Sequence, residues 1–114
     1  MKDKELLLVE KALKFNLREQ TERLKIMFDM MINKEKEDFY FDKNSYLNFI
    51  KGKIIEADDH IKAFKNLSKI CNINLEGEIS TLKEQINISI ERIEEHKKAI
   101  EKRSLFKVVN KNTK

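Results

Sequence analysis

The sequence predicts an all-α protein: three long antiparallel helices forming a bundle with coiled-coil-like heptad packing. Three observations carry that reading. Among 114 residues there is no Pro and only two Gly, so almost nothing interrupts a helix. Charged residues reach 39% and hydrophobic residues 40%, a balance of long amphipathic helices, since an average globular chain has about a quarter charged residues. The apolar residues recur at intervals of three, four and seven, which gives each segment one face to bury. That much patterned apolar surface also argues against disorder, and the length suits one domain with its own core.

The first helix is expected over residues 3–33. Leu6, Val9, Leu13, Leu17, Leu24, Met27 and Met31 form its stripe, with Leu7, Ile26, Phe28, Met30 and Ile32 alongside. The step from Leu13 to Leu17 shifts the heptad by one position and brings Asn16 and Gln20 to inward sites. A polar layer is therefore expected mid-helix, either a register lock or ligand contact, or simply a hydrogen-bonded notch in an imperfect seam. Leu7, Phe15, Ile26 and Phe28 widen the apolar surface beyond what two neighbours cover, so a homodimer is expected.

The second helix, residues 44–71, has the most regular stripe: Leu47, Ile50, Ile54, Ala57, Ile61, Phe64, Ser68 and Cys71. Gly52 lies within it without breaking the phase and either permits close helix approach or is tolerated. The third helix, residues 75–103, is carried by Leu75, Ile79, Leu82, Ile86, Ser89, Ile93, His96 and Ile100, with Ile90 in support. Thr81 and Glu84 match a capping box, which would start that helix later than the heptads do. Asn72 and Asn74 suit a tight reversal before it, whereas the first connector, residues 34–43, is longer than such links usually are. Residues 1–103 thus form the bundle, and 104–114 form a flexible basic tail.

Charge is distributed unevenly. Residues 102–114 hold Lys102, Arg103, Lys107, Lys111 and Lys114 and none of the 20 acidic residues, so the overall net charge of +4 belongs to this end and the rest is near neutral. Whole-chain basicity is therefore no argument for a nucleic-acid-binding face, although the tail by itself is a candidate anion-contacting segment whose attachment would be weak and salt-sensitive. Cys71 is the single Cys, which allows no internal disulfide, and the apolar run Leu6–Val9 is too short for a secretory signal or a membrane span. A cytoplasmic protein without a transmembrane segment is expected. Its Lys, Asn and Ile bias is that of an AT-rich bacterial or phage genome.

Enzymatic constellations do not appear. There is no Gly-rich phosphate loop, Cys pair or His-Glu-x-x-His. The metal-ligand types cluster at Glu56, Asp58, Asp59 and His60 and at Glu91, Glu95 and His96. A helical-bundle metal site needs a Glu three positions before each His, and Ala57 and Ile93 occupy those places. No enzyme, cofactor or metal is expected. The most unusual local feature is aromatic: Phe39, Tyr40, Phe41, Tyr46 and Phe49 are five of the nine aromatic residues and fall within eleven positions. Aromatic residues are enriched where proteins bind one another, and the acidic neighbours Glu37, Asp38 and Asp42 disfavour nucleic acid here. Phe39, Tyr40, Phe41 and Tyr46 are therefore the candidate partner-binding residues, with Tyr40 pointing out and Phe39 and Phe41 anchoring it; the alternative is that these rings cap the bundle as extra core. The expected function is a small protein-protein interaction module, an adaptor, chaperone or inhibitor; the alternative is a nucleic-acid-associated regulator using its basic tail.

Overall fold

Three helices form in the order read from the sequence: α1 (Asp3–Glu37), α2 (Lys43–Cys71) and α3 (Glu76–Asn112), every pair in contact. The computed structural model describes residues 3–112, with side chains through residue 103, and holds no strand among them. Connectors of residues 38–42 and 72–75 are too short to do anything but reverse the chain. Glu10 accordingly meets Asn74, Arg18 meets Glu78 and Phe28 meets His96, so α1 and α3 run in parallel. The antiparallel α2 lies against both, as the Lys43–Glu35 ion pair and the Lys97–Asn48 hydrogen bond indicate.

Each terminus has a local cause. The run Lys34–Glu37 is made of good helix formers, and Lys34 and Lys36 sit where the negative end of the helix dipole favours them. This extends α1 beyond the expected residue 33 and shortens the first connector to an ordinary length. Asp42 caps α2: its carboxylate accepts the Ser45 N–H at 3.1 Å and the Ser45 hydroxyl at 2.7 Å. These hydrogen bonds, the side-chain one first, lower the Asp42 pKa below the ordinary carboxylate value. Asn72 ends α2 in the left-handed conformation at φ 54°, which Asn tolerates better than most residues. The Asn74 side chain accepts the Glu76 N–H at 3.1 Å and opens α3. The expected capping box is not formed, because Thr81 lies within the helix and donates its hydroxyl to the Gly77 carbonyl at 2.9 Å. At its other end α3 continues as helix to Asn112, past the expected residue 103.

The core draws on all three helices. Leu17, Leu24, Met27, Phe28 and Met31 of α1 pack with Leu47, Ile50, Ile54, Ala57 and Ile61 of α2 and with Leu75, Ile79, Leu82, Ile86 and Ile93 from the α3 side. Beyond the phase shift, the α1 seam is Leu17, Thr21, Leu24, Phe28 and Met31, a regular alternation of four and three. Phe28 therefore belongs to the core and is not part of the apolar flank expected to reach a second copy. The polar layer also lies elsewhere than expected. Asn16 is exposed and Gln20 half-buried, joined by a 2.6 Å hydrogen bond at the α1–α2 groove, while the buried polar residues are Thr21, Gln85 and Ser89. Thr21 donates to the Leu17 carbonyl at 3.0 Å and Gln85 to the Ser89 hydroxyl at 3.3 Å, so burying them leaves no side-chain polar atom unpaired among the described residues.

Gly52 faces open space, with nothing within 4 Å of a Cβ built there. It does not mediate close helix approach. Gly52→Ala is accordingly expected to stabilise the fold by about 1 kcal/mol, because Ala loses less backbone entropy in an exposed helix interior. Urea unfolding should show a raised midpoint with an unchanged slope; a destabilised variant would contradict the open environment.

Candidate functional site

The candidate partner-binding residues lie where α1 passes into α2, and the loop that carries them is built on hydrogen bonds. The Asp38 N–H donates to the Lys34 carbonyl at 2.9 Å, the Tyr40 N–H to the Asp38 carboxylate at 2.9 Å and the Phe41 N–H to the Asp38 carbonyl at 3.2 Å. Asp38 thus folds the turn around itself, as Asx residues do, and Asp42 closes it by capping α2. The backbone conformation is set by these two acids, leaving the Phe39 and Tyr40 side chains free of any structural duty in the turn.

The rings divide into two groups. Phe41 and Tyr46 are partly buried against the core, with centroids 5.6 Å apart, and Phe49 continues the cluster 6.0 Å from Tyr46. Phe39 and Tyr40 are 94% and 89% exposed and touch each other edge to face at 5.5 Å. Tyr40 projects outward as expected. Phe39, expected to anchor the loop, projects with it, because the turn at Asp38 replaces the extended backbone in which neighbouring side chains would alternate.

The same end of the bundle receives the start of the basic segment. Arg103 lies 4.0 Å from Glu35, and Glu35 also pairs with Lys43 at 3.5 Å. An open recess of about 480 Å³ lies between them, lined by Glu35, Phe39, Phe41, Lys43, Ile100 and Arg103 among others. The fold thereby brings together two features some 60 positions apart in sequence. Lys102 is exposed beside them; the side chains of Lys107 and Lys111, and the whole of Lys114, lie outside the described residues. Sequence reasoning missed Glu35 and Ile100 as parts of this end, since neither carries a motif and only the helix register places them there.

The metal-ligand types do not converge. Glu56 pairs with Lys53 and Asp58 with Lys62, both on the surface of α2, while His60 stacks on Phe64 at 6.0 Å. His96 stacks on Phe28, and burial, followed by the charges of Lys43 and Arg92, lowers its pKa, so that it meets the ring as a neutral imidazole at neutral pH. No group of three His, Cys, Asp or Glu residues is placed to hold a metal ion among the described residues. Nor, among them, is any helix long and apolar enough to cross a membrane.

No protein-family model, curated protein or solved structure matches the chain.

Proposed function

We propose that the chain is a small protein-protein interaction module, an adaptor, chaperone or inhibitor, that binds its partner through the Phe39–Tyr40 end of the bundle. The observation that carries this reading is the exposure of two adjacent rings on a turn whose shape is fixed by Asp38 and Asp42. Each ring offers about 1.5–3 kcal/mol on burial, and the preformed turn reduces the ordering cost of binding. Acidic and basic groups around the recess add a charged rim on which orientation can be selected.

The test separates binding from folding. Phe39→Ala and Tyr40→Ala are expected to leave the melting temperature essentially unchanged, because neither ring packs on the core, and to reduce capture of partner proteins by an immobilised chain. Phe41→Ala, at a ring that does pack on the core, is expected to lower the melting temperature instead. If both exposed-ring variants retain full capture, the reading fails.

A second reading, a nucleic-acid-associated regulator acting through residues 102–114, is favoured by the five basic and no acidic residues in that stretch. Against it, Glu35 engages Arg103, and Asp38 and Asp42 line the same recess. Binding to generic DNA and RNA across a salt series, with and without residues 104–114, discriminates the two: only the second reading requires binding that weakens steeply with salt and disappears with the segment.

A further inference from the structure

One face of α1 remains apolar where the fold has no use for it. Leu8, Phe15, Ile26 and Met30 are each between 50% and 62% exposed, and intervals of seven, eleven and four return them to one side of the helix. That side lies opposite the seam of Leu17, Thr21, Leu24, Phe28 and Met31. Exposed Ala12 lies on the same stripe. The backs of α2 and α3 carry no comparable row: Ile70 and Ile88 stand there among polar and charged residues. An apolar row of about three heptads is the length of a two-helix seam.

We infer that this face is covered by a second copy of the chain, with α1 packed antiparallel on α1 about a two-fold axis level with residues 20–21. The pattern of the stripe selects both occupant and direction. Its apolar residues lie in two groups, Leu8, Ala12 and Phe15 at one end and Ile26 and Met30 at the other, with exposed Glu19 and Glu22 between them. The two-fold sets Phe15 opposite Ile26 of the second copy and Ala12 opposite its Met30, so these apolar residues cover one another, while Leu8 extends past them to the level of Asn33. At the centre it brings Arg18 beside Glu22 of the second copy and Glu19 beside its Arg23, and on the flank Lys11 beside its Asp29. Every such pair occurs twice, as an isologous contact requires. In this register Glu19 also falls level with Glu22 of the second copy, and Arg18 and Arg23 flank and offset those two carboxylate pairs. Parallel pairing brings the glutamates together as well, each on its own counterpart, and sets Arg18 beside Arg23 of the second copy, so the charges on the flank favour the antiparallel order. Arg18 already reaches Glu78 at 3.2 Å, and its guanidinium has donors enough to serve both carboxylates. The connector end of the bundle takes no part, so a dimer built this way presents two Phe39–Tyr40 surfaces.

The experiment uses the full chain in sedimentation equilibrium from low to high micromolar concentration. The wild type is expected to dimerise, and Phe15→Glu to weaken dimerisation by roughly a hundredfold or more, because each dimer loses two buried rings. Glu is a good helix former at this exposed site, so the helical circular dichroism and melt should survive. Ile70→Glu on the back of α2 should leave the dimer intact. Orientation is read by oxidation in a Cys71→Ser background: a chain carrying both Lys11→Cys and Asp29→Cys should form a covalent dimer, and neither single variant should, since the two-fold holds each residue far from its own counterpart. A wild type that stays monomeric at high micromolar concentration, a dimer indifferent to Phe15→Glu, or ready crosslinking through Lys11→Cys alone would each overturn the inference.

Discussion

Phe28→Ala is expected to destabilise the protein by about 3–5 kcal/mol, a large part of the roughly 5–15 kcal/mol by which native domains are stable. Phe28 has 0% of its surface exposed, so truncation removes a fully buried ring and leaves a cavity that the packed helices around it close only in part. The ring also supports two α3 residues: the Arg92 guanidinium lies 4.4 Å from its centroid and the His96 imidazole stacks at 6.1 Å and 14°. The loss should therefore exceed that of Phe28→Leu, which keeps most of the volume and none of the aromatic face. A double-mutant cycle with Arg92→Ala separates the contributions, since a cation over a ring is worth about 0.5–2 kcal/mol. Urea denaturation gives the answer directly; a loss below about 1 kcal/mol would place Phe28 outside the core.

Ile61→Ala should cost about 2–5 kcal/mol by the same physics on a different helix. Ile61 is 1% exposed at one end of the run Ile54, Ala57 and Ile61, which presents a single continuous face. Its position inside the range depends on how far the neighbouring side chains relax, and Ala57 beside it has little volume to lend. Ile61→Val should cost only about 0.5–1.5 kcal/mol, giving a graded series in which stability follows buried volume. An Ile61→Ala variant losing less than about half a kcal/mol would show that the face is exposed.

At the connector, the composition of the candidate site was legible and its geometry was not. Five aromatics in eleven positions are visible in any sequence, but which rings anchor and which project depends on the turn. Alternating side chains follow from extended backbone; Asp38 instead accepts the Tyr40 and Phe41 N–H groups and turns both Phe39 and Tyr40 outward. The proximity of Arg103 to this loop follows from α3 running parallel to α1, which is a property of the assembled bundle.

By itself the sequence determined the helical class, the number of helices and the buried face of α2, because intervals of three and four on a chain nearly free of Gly and Pro admit one secondary structure and one inward side. Only the tertiary structure decided the phase of α1 beyond its shift. Met27 and Phe28 are adjacent and both apolar, so periodicity cannot choose which leads, and Thr21 conceals its suitability for the core until its hydroxyl is seen bonded to the Leu17 carbonyl. The polar layer moved for the same reason. Asn16 and Gln20 satisfy each other at the groove, whereas Gln85 can be buried once Ser89 lies within 3.3 Å to accept from it. Burial of a polar side chain is decided by the presence of a partner, and partners are a matter of three-dimensional packing.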